Sequence, residues 1–181
     1  MRIPIFRPHV KSDFPERVVI RHLVIDDLPE LEWEGEFTHF RLLYADAYQR
    51  MRSGELIMWV AELHSSGIIG QVFVQLDCAR PELANGVDRA YLYSFRVRPA
   101  FRNLGLGTRM LQTVEADLKE LGYSFVTLNV AKDNPRARKL YERHGYRVVA
   151  QEPGVWSYID HLGHWRHVNE PAWRMEKSLN K

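Results

Sequence analysis

The stretch that decides the fold is Val97-Arg98-Pro99-Ala100-Phe101-Arg102-Asn103-Leu104-Gly105-Leu106-Gly107-Thr108. An apolar and aromatic run, Tyr91 to Phe95, precedes it and predicts a strand, and apolar residues at helical spacing follow it. Its glycines therefore lie at a turn from a strand into a helix. Backbone N–H groups at the start of a helix lack intrahelical partners, and glycine lets a phosphate approach them without a Cβ in the way. The turn predicts a ligand that carries phosphates.

The length and composition indicate one ordinary globular domain with an extra arm. Residues 1–16 hold three of the nine prolines and show no periodicity, so we expect an extended arm there and the domain at 17–181. The formal net charge of +2 is too small to indicate nucleic acid. No apolar run approaches the roughly 20 residues of a membrane helix, and the N-terminus lacks the apolar core of a secretion signal. With a single cysteine, these features predict a cytoplasmic protein without disulfides or membrane contact.

Alternating apolar patterns bounded by turn residues predict the strands of the domain. They are expected at 17–23, 56–62, 67–77, 90–97, 125–130, 146–151 and 172–179. The three strands in the middle of the chain are separated by Ser65-Ser66-Gly67 and by a longer loop containing Asn85-Gly86, which favours an antiparallel meander. A helix joins 90–97 to 125–130, so these two strands must be parallel, because such crossovers are right-handed.

Helical periodicity and capping residues predict four helices. The first begins at Asp26 or Asp27 and ends near Gly35, and the second runs from a Thr38 cap to Ser53. A third follows the glycine turn and ends at Gly122. The fourth begins with Asn134 as the cap and Pro135 in the first helical position, and it ends at Gly145.

Two motifs in a fixed order carry a resemblance to a known family. The first is Val97-x-Pro99-x-x-Arg102-x-x-Gly105-x-Gly107, and the second is Asn129-Val130-x-x-x-Asn134-x-x-Ala137-x-x-Leu140-Tyr141-x-x-x-Gly145-Tyr146. With the element order β-α-α-β-β-β-α-β-α-β-β, they resemble the GNAT superfamily of acetyl-CoA-dependent N-acetyltransferases across 17–181. A dinucleotide-binding motif would need glycine at Met110, and a P-loop would need Gly-Lys-Ser/Thr where Gly107-Thr108-Arg109 stands.

The resemblance implies both a fold and a reaction. The fold is α+β in three layers, with a mixed, mostly antiparallel central sheet, a splayed parallel pair of strands and about four flanking helices. The reaction is acetyl transfer from acetyl-CoA to a primary amine, by direct attack in a ternary complex. A non-catalytic module that senses acyl-CoA is the alternative function. The expected partner is a small-molecule or peptide amine, and a homodimer is a further possibility because dimers are common among relatives.

The same resemblance implies roles for individual residues. The turn would hold the CoA pyrophosphate through backbone amides of Arg102, Asn103, Leu104, Gly105, Leu106, Gly107 and Thr108. Phe95 and Val97 would contact the pantetheine and the thioester from a kinked strand, with the acetyl group in a wedge between the parallel strands. Tyr141 would be the general acid that protonates the leaving sulfur, and the alternative role for it is a core aromatic at an apolar helix position. Asn134 either binds the cofactor or simply caps its helix.

The general base is where the sequence departs from better-known members of the family. Some relatives carry Glu where Tyr91 stands, and the branch that acetylates protein N-termini carries Glu where Asn129 stands. A water relay is the alternative, because an α-amine with a pKa of about 8 is already roughly one tenth neutral at pH 7. Candidate acceptor-site residues that would begin such a relay are Glu36, Tyr91, Tyr93, Asp160 and His161.

Three clusters leave more than one interpretation open. Six carboxylates between Asp26 and Glu36 either attract a cationic amine or form a solvated helix face. A basic helix either reaches the 3′-phosphate of CoA or binds nucleic acid or an acidic protein; its residues are Lys132, Arg136, Arg138, Lys139, Arg143 and Arg147. The run His161-x-x-His164-x-x-His167 resembles metal-ligand spacing, but Gly163 argues against a regular helix. We expect no metal there, and instead an acceptor-pocket lining or simple aromatic packing.

Overall fold

The computed structural model describes Phe14 and residues 17–180; the rest of the predicted arm lies outside the described residues. The strands are β1 (Val18–His22), β2 (Leu56–Leu63), β3 (Gly67–Gln75), β4 (Arg89–Val97), β5 (Phe125–Ala131), β6 (Arg147–Glu152), β7 (Val155–Ile159), β8 (Trp165–Asn169) and β9 (Ala172–Ser178). The helices are α1 (Arg41–Arg52), α2 (Leu106–Glu120) and α3 (Pro135–Arg143), and a long 3₁₀ segment, Ile25–Gly35, precedes α1. Each predicted strand and helix occurs within a few residues of its expected ends.

The central sheet has seven strands in the order β1-β2-β3-β4-β5-β9-β6. Neighbouring strands are antiparallel except β4 and β5, which are parallel as the crossover through α2 predicts. The last strand, β9, enters between β5 and β6 and pairs with both of them. The expected meander of β2, β3 and β4 and the mixed α+β class are thus confirmed.

Helices cover both faces of this sheet because its strands alternate between two apolar cores. On β2, Trp59 and Ala61 belong to the core that α2 and α3 cover, whereas Met58 and Val60 belong to the core under α1 and the 3₁₀ segment. Met110 of α2 and Tyr44 of α1 are both buried against the sheet. The result is the predicted three-layer arrangement. None of the helices in the described residues is long and apolar enough to cross a membrane.

The hairpin β7–β8 corrects the predicted order of elements, which left 156–171 without strands. It forms a separate two-stranded sheet that packs on the start of α1, where the Tyr158 and Phe40 rings lie 5.1 Å apart. Its outer face also carries large apolar side chains, including Val155 and Trp165, which are 70% and 65% exposed. With apolar residues on both faces, the sequence lacks the polar alternation that marks a half-buried strand.

The first two helical segments differ from expectation in how they begin. The 3₁₀ segment starts after Val24, which precedes the predicted start. The N–H of Val24 donates to the Asp27 carboxylate at 2.8 Å, so Asp27 contributes to the cap from within the first turn. Thr38 does not cap α1. It lies in a 3₁₀ turn, Thr38–Phe40, and its hydroxyl donates to Glu32 at 2.8 Å, so the helix begins one turn later.

Four of the six carboxylates of the acidic run are exposed, as a solvated face requires, but several members of the run also have partners in the fold. Glu32 accepts from the Arg41 guanidinium at 2.6 Å, and Glu34 accepts from Arg98 at 2.7 Å. Glu30 accepts from the backbone N–H of Ile68 at 2.9 Å on β3. Ile68 and Arg98 are distant in sequence from their partners, so exposed members of the run also fasten the 3₁₀ segment to the rest of the fold.

Candidate active site

The two parallel strands separate at the centre of the sheet. Residue pairing between β4 and β5 runs from Arg89 and Phe125 to Leu92 and Leu128 and stops there, although both strands continue. Beyond Leu92, β4 has β3 as its neighbour but no β5 partner among the described residues. This divergence is the wedge that the resemblance implies between the parallel strands.

A bulge in β4 changes which side chains face which side of the wedge. Its register against β3 shifts between Gln71 and Phe73, and Ser94 adopts a left-handed φ of 51°. Leu92, Phe95 and Val97 all belong to the core on the α2 side. Tyr91, Tyr93 and Arg96 all line the opposite face, next to α1. An odd and an even position thus share each face, which an unbroken strand does not allow.

Two cavities open on either side of this bulge. A cavity of about 580 Å³ lies on the α1 side, between that helix, the aromatic side chains of β4 and the β7–β8 hairpin. A cavity of about 320 Å³ lies on the α3 side, in the wedge itself, and includes Asn134 and Tyr141. The two cavities share lining residues, which are Tyr93, Ser94, Arg96, Asn129, Ala131 and Glu170. The two cavities therefore meet at the splay.

Tyr141 lines the smaller cavity from the second turn of α3. Its side chain is buried, and burial together with the neighbouring Tyr91 raises the pKa of its phenol well above the ordinary value. The hydroxyl has no acceptor among the described residues, yet it is not sealed away from solvent. Tyr141 therefore retains its proton beside the wedge, at the position where the resemblance implies a general acid.

The aromatic pair Tyr91 and Tyr93 lines the larger cavity, with parallel rings 5.7 Å apart. Burial raises the pKa of Tyr91 to about 12, and burial also raises the pKa of Tyr93. Both phenols keep their protons at neutral pH, so they can donate or relay a hydrogen bond but do not act as bases. Asn129 lies against Tyr91 and has a buried side-chain oxygen without a partner among the described residues.

The glycine turn leaves its backbone donors free. The N–H of Arg109 makes the first helical bond of α2, to Gly105, and the N–H groups from 103 to 108 have no acceptor among the described residues. Gly105 lies in the left-handed region with a φ of 82°, a conformation that suits glycine. Free donors at a helix N-terminus fit a phosphate ligand, as the sequence predicts.

Helix α3 is fastened to this turn. Arg136 contacts the side-chain oxygen of Asn103, and His144 contacts the Thr108 hydroxyl at 3.1 Å. A Cβ added at Gly107 would lie 3.8 Å from Leu140 and 3.9 Å from the Phe95 ring, so turn, helix and strand pack closely. Two further residues of the basic helix, Lys132 and Arg138, lie over the Trp173 ring, so part of their role is to pack on β9.

Asn134 performs the capping role that the sequence allows. Its side-chain oxygen accepts from the N–H of Ala137 at 3.0 Å, and the residue also lines the smaller cavity. Capping and contact with a ligand are therefore compatible at this position.

Three of the candidate acceptor residues lie outside both cavity linings. Glu36 is exposed after the 3₁₀ segment. Asp160 accepts from the N–H groups of Leu162 and His164, and these bonds, with the Arg166 guanidinium, lower its pKa to about 2. It holds the turn of the β7–β8 hairpin and is not free to accept a proton.

His161 lies beside the acidic segment, near Glu32, whose pKa is lowered chiefly by the hydrogen bond from the Arg41 guanidinium. His167 is elsewhere, on the outer strand of the hairpin, with its ring nitrogen 2.7 Å from the Ser157 hydroxyl. Within the part of the chain that the structure describes, no three His, Cys, Asp or Glu side chains come together as metal ligands.

Sequence reasoning missed Arg96, which lines both cavities. Regular alternation along the strand would place Arg96 on the opposite face of the sheet from Tyr91 and Tyr93. Only the bulge at Ser94 places Arg96 on the same face as these tyrosines. A charged residue between Phe95 and Val97 is visible in the sequence, but it indicates a cavity residue only once the bulge is known.

Residues 22–146 match the model of the acetyltransferase (GNAT) family. The chain is 24% identical over 90 residues to the uncharacterized N-acetyltransferase YycN of Bacillus subtilis (strain 168), which covers 50% of this chain and 54% of the relative. It is 40% identical over 60 residues to the uncharacterized N-acetyltransferase YdgE of the same organism, which covers 33% of this chain and 38% of that protein. The matches thus span about half or less of these relatives.

Solved structures share the fold along nearly the whole chain. The ribosomal-protein-S18-alanine N-acetyltransferase of Escherichia coli gives a TM-score of 0.68 at 18% identity, covering 91% of this chain and 95% of that one. Spermidine/spermine N-acetyltransferase SpeG of Vibrio cholerae gives 0.68 at 17% identity, covering 92% and 95%. Ard1 of Thermoplasma volcanium gives 0.69 at 16% identity, covering 91% and 99%. Because the family model matches residues 22–146, which is more than half of the chain, the chain belongs to the GNAT acetyltransferase family.

Proposed function

We propose that this protein transfers the acetyl group of acetyl-CoA to a primary amine by direct attack within a ternary complex. The observation that carries the proposal is the opening through the sheet, where two cavities meet at the splay of β4 and β5. A donor that enters beside the glycine turn and an acceptor that enters beside α1 would meet there. No covalent transfer through the protein is then needed.

The residues around the turn fit coenzyme A. The free N–H groups from 103 to 108 suit a pyrophosphate, and Arg136 adds a cation next to Asn103. Among the residues that the structure describes, the edge of β4 toward β5 is unpaired past Leu92, so its backbone groups can bond a pantetheine arm. When bound, acetyl-CoA supplies a thioester whose carbonyl the amine attacks.

The residues at the splay divide the proton transfers between them. Tyr141 retains its proton because burial raises its pKa, so it can donate that proton to the leaving sulfur. Tyr91 and Tyr93 are protonated in the same way, so the amine loses its proton to water in the larger cavity. A relay of this kind suits an amine whose pKa is near 8, since a useful fraction is neutral at pH 7.

Initial-rate kinetics test this mechanism. With both substrates varied, direct attack gives intersecting double-reciprocal lines, and the intact mass of the protein stays unchanged after incubation with acetyl-CoA alone. Parallel lines together with an acetylated protein would contradict direct attack and indicate a covalent intermediate.

A further inference from the structure

The larger cavity contains one cation that no carboxylate neutralises among the described residues. Of the three arginines in its lining, Arg50 lies 3.3 Å from Glu55 and Arg80 lies 2.8 Å from Glu152. Arg96 forms no ion pair with any carboxylate in the described part of the chain. A partly buried guanidinium without a counter-charge is costly unless a ligand supplies one.

Neighbouring groups hold Arg96 in one orientation. Its Nη1 donates to the Tyr44 hydroxyl at 2.8 Å and to the Ser94 hydroxyl at 3.2 Å. Its guanidinium lies 4.2 Å from the centre of the Phe37 ring and 5.1 Å from that of Phe40. Gln71 donates to the same Ser94 hydroxyl at 2.9 Å and thereby steadies the bulge. Little side-chain entropy is left to lose when a ligand binds.

The other edge of the guanidinium is free. Nε and Nη2 of Arg96 have no acceptor among the described residues, and neither atom is buried out of reach of solvent. The Nε and Nη2 hydrogens project in parallel, the geometry that matches the two oxygens of a carboxylate. Since Arg96 lines both cavities, an anion held there lies at the junction where donor and acceptor would meet.

We propose that Arg96 binds a carboxylate of the acceptor, so that the acceptor is a compact amine that also carries a carboxylate, of the free amino acid type. The inference rests on the proposed function for the identity of the cavity. Asp46 and Glu170 line the same cavity and form no ion pair among the described residues, so the site also offers negative charge to the ammonium group. A polyamine, which has only cations, would leave Arg96 without a counter-charge and would be repelled by it.

Matched substrates test the inference. An α-amino acid, its carboxamide and its decarboxylated amine present related amines with and without the carboxylate. We expect kcat/KM for the amino acid to exceed that for the other two by about 10- to 100-fold, the effect of one charge-assisted bidentate contact. The comparison is made over several side-chain types, because the larger cavity is lined with aromatic residues.

Variants locate the effect. R96Q should abolish the preference for the carboxylate, and R96K should retain part of it, because lysine keeps the charge but loses the bidentate geometry. R52Q is the matched control: Arg52 is exposed at the end of α1, outside the cavity lining, so the same charge change should leave the preference intact. Thermal unfolding of R96Q, which loses its contacts with the Phe37 and Phe40 rings, checks that the variant is folded.

Calorimetry provides a readout that does not depend on turnover. With CoA present, the N-acetyl amino acid should bind the wild-type protein more tightly than its carboxamide, and R96Q should bind both alike. Equal kcat/KM for the acid and the carboxamide would overturn the inference and leave the acetyltransferase in place. Carboxylate-dependent binding without turnover of any amine would support the Arg96 site and contradict the proposed function.

Discussion

Tyr141 and Tyr146 are neighbours, and substitutions at these two positions distinguish an effect on catalysis from an effect on stability. The Tyr141 and Tyr146 rings are both buried and lie 5.6 Å apart. The Tyr146 hydroxyl donates to Glu115 at 2.9 Å within the core. The Tyr141 hydroxyl makes no bond to the described residues and reaches the smaller cavity. The same Tyr→Phe substitution should therefore have opposite consequences at the two positions.

At Tyr141, loss of the hydroxyl removes the proton donor for the leaving sulfur. General acid catalysis contributes about 10²- to 10⁴-fold, so Tyr141→Phe should lower kcat by that factor. The free energy of unfolding should change by less than about 0.5 kcal/mol, because the hydroxyl has no partner to lose. Affinity for CoA should be unchanged within about twofold, since the hydroxyl acts in the transition state.

At Tyr146, the same substitution leaves the buried Glu115 without one of its donors, although Lys177 still contacts that carboxylate at 2.5 Å. Tyr146→Phe should lower the free energy of unfolding by about 1–3 kcal/mol and leave kcat of the folded protein intact. Urea unfolding and single-turnover thiol release measure the two quantities. An undiminished rate in Tyr141→Phe, or loss of activity in both variants in proportion to their loss of stability, would refute the assignment of the acid.

The remaining expectations concern stability. Gly105→Ala should cost about 1–2 kcal/mol in urea unfolding because its φ is 82°, and nothing lies within 4 Å of the added Cβ, so the cost is conformational. Met110→Ala, which truncates a fully buried side chain, should cost about 2–5 kcal/mol in the same assay, and an unchanged midpoint would argue against its packing on the sheet. Asn134→Ala should cost about 1 kcal/mol through loss of the helix cap. The raised pKa of Tyr91, about 12, favours the neutral phenol in the folded state, so this stabilisation is complete below pH 10 and is lost as the pH rises from 10 through 12. Thermal unfolding across that range should show the melting temperature falling, and a flat profile would contradict the burial of the phenol.

Local signals explain which parts of the fold could be predicted. Helix α3 is flanked by Asn134, Pro135 and Gly145, so its ends follow from the sequence alone. The parallel pairing of β4 and β5 follows from a helical crossover between two strands, for which only one hand is common. The phosphate site at the glycine turn could likewise be predicted, because free N–H groups are a property of any helix N-terminus. The roles of individual turn residues toward CoA stay predictions.

Long-range effects explain what could not be predicted. The partners of the acidic segment, such as Arg98 for Glu34, lie on other elements, so the pairing of these carboxylates could not be predicted from the run itself. The β7–β8 hairpin carries apolar residues on both faces and lacks a strand signature. Arg96 reaches the cavity only because Ser94 takes a left-handed conformation within β4. A single bulge thus reverses the face of every side chain that follows it.

Stoichiometry tests the central claim most directly. Free CoA thiol and N-acetylated amine are measured in the same reaction across a panel of amines that includes amino acids and polyamines. We expect thiol release to depend on the amine and to match the acetylated product one to one. Tight binding of CoA without acceleration of thiol release by any amine would contradict the claim and would favour a protein that senses acyl-CoA.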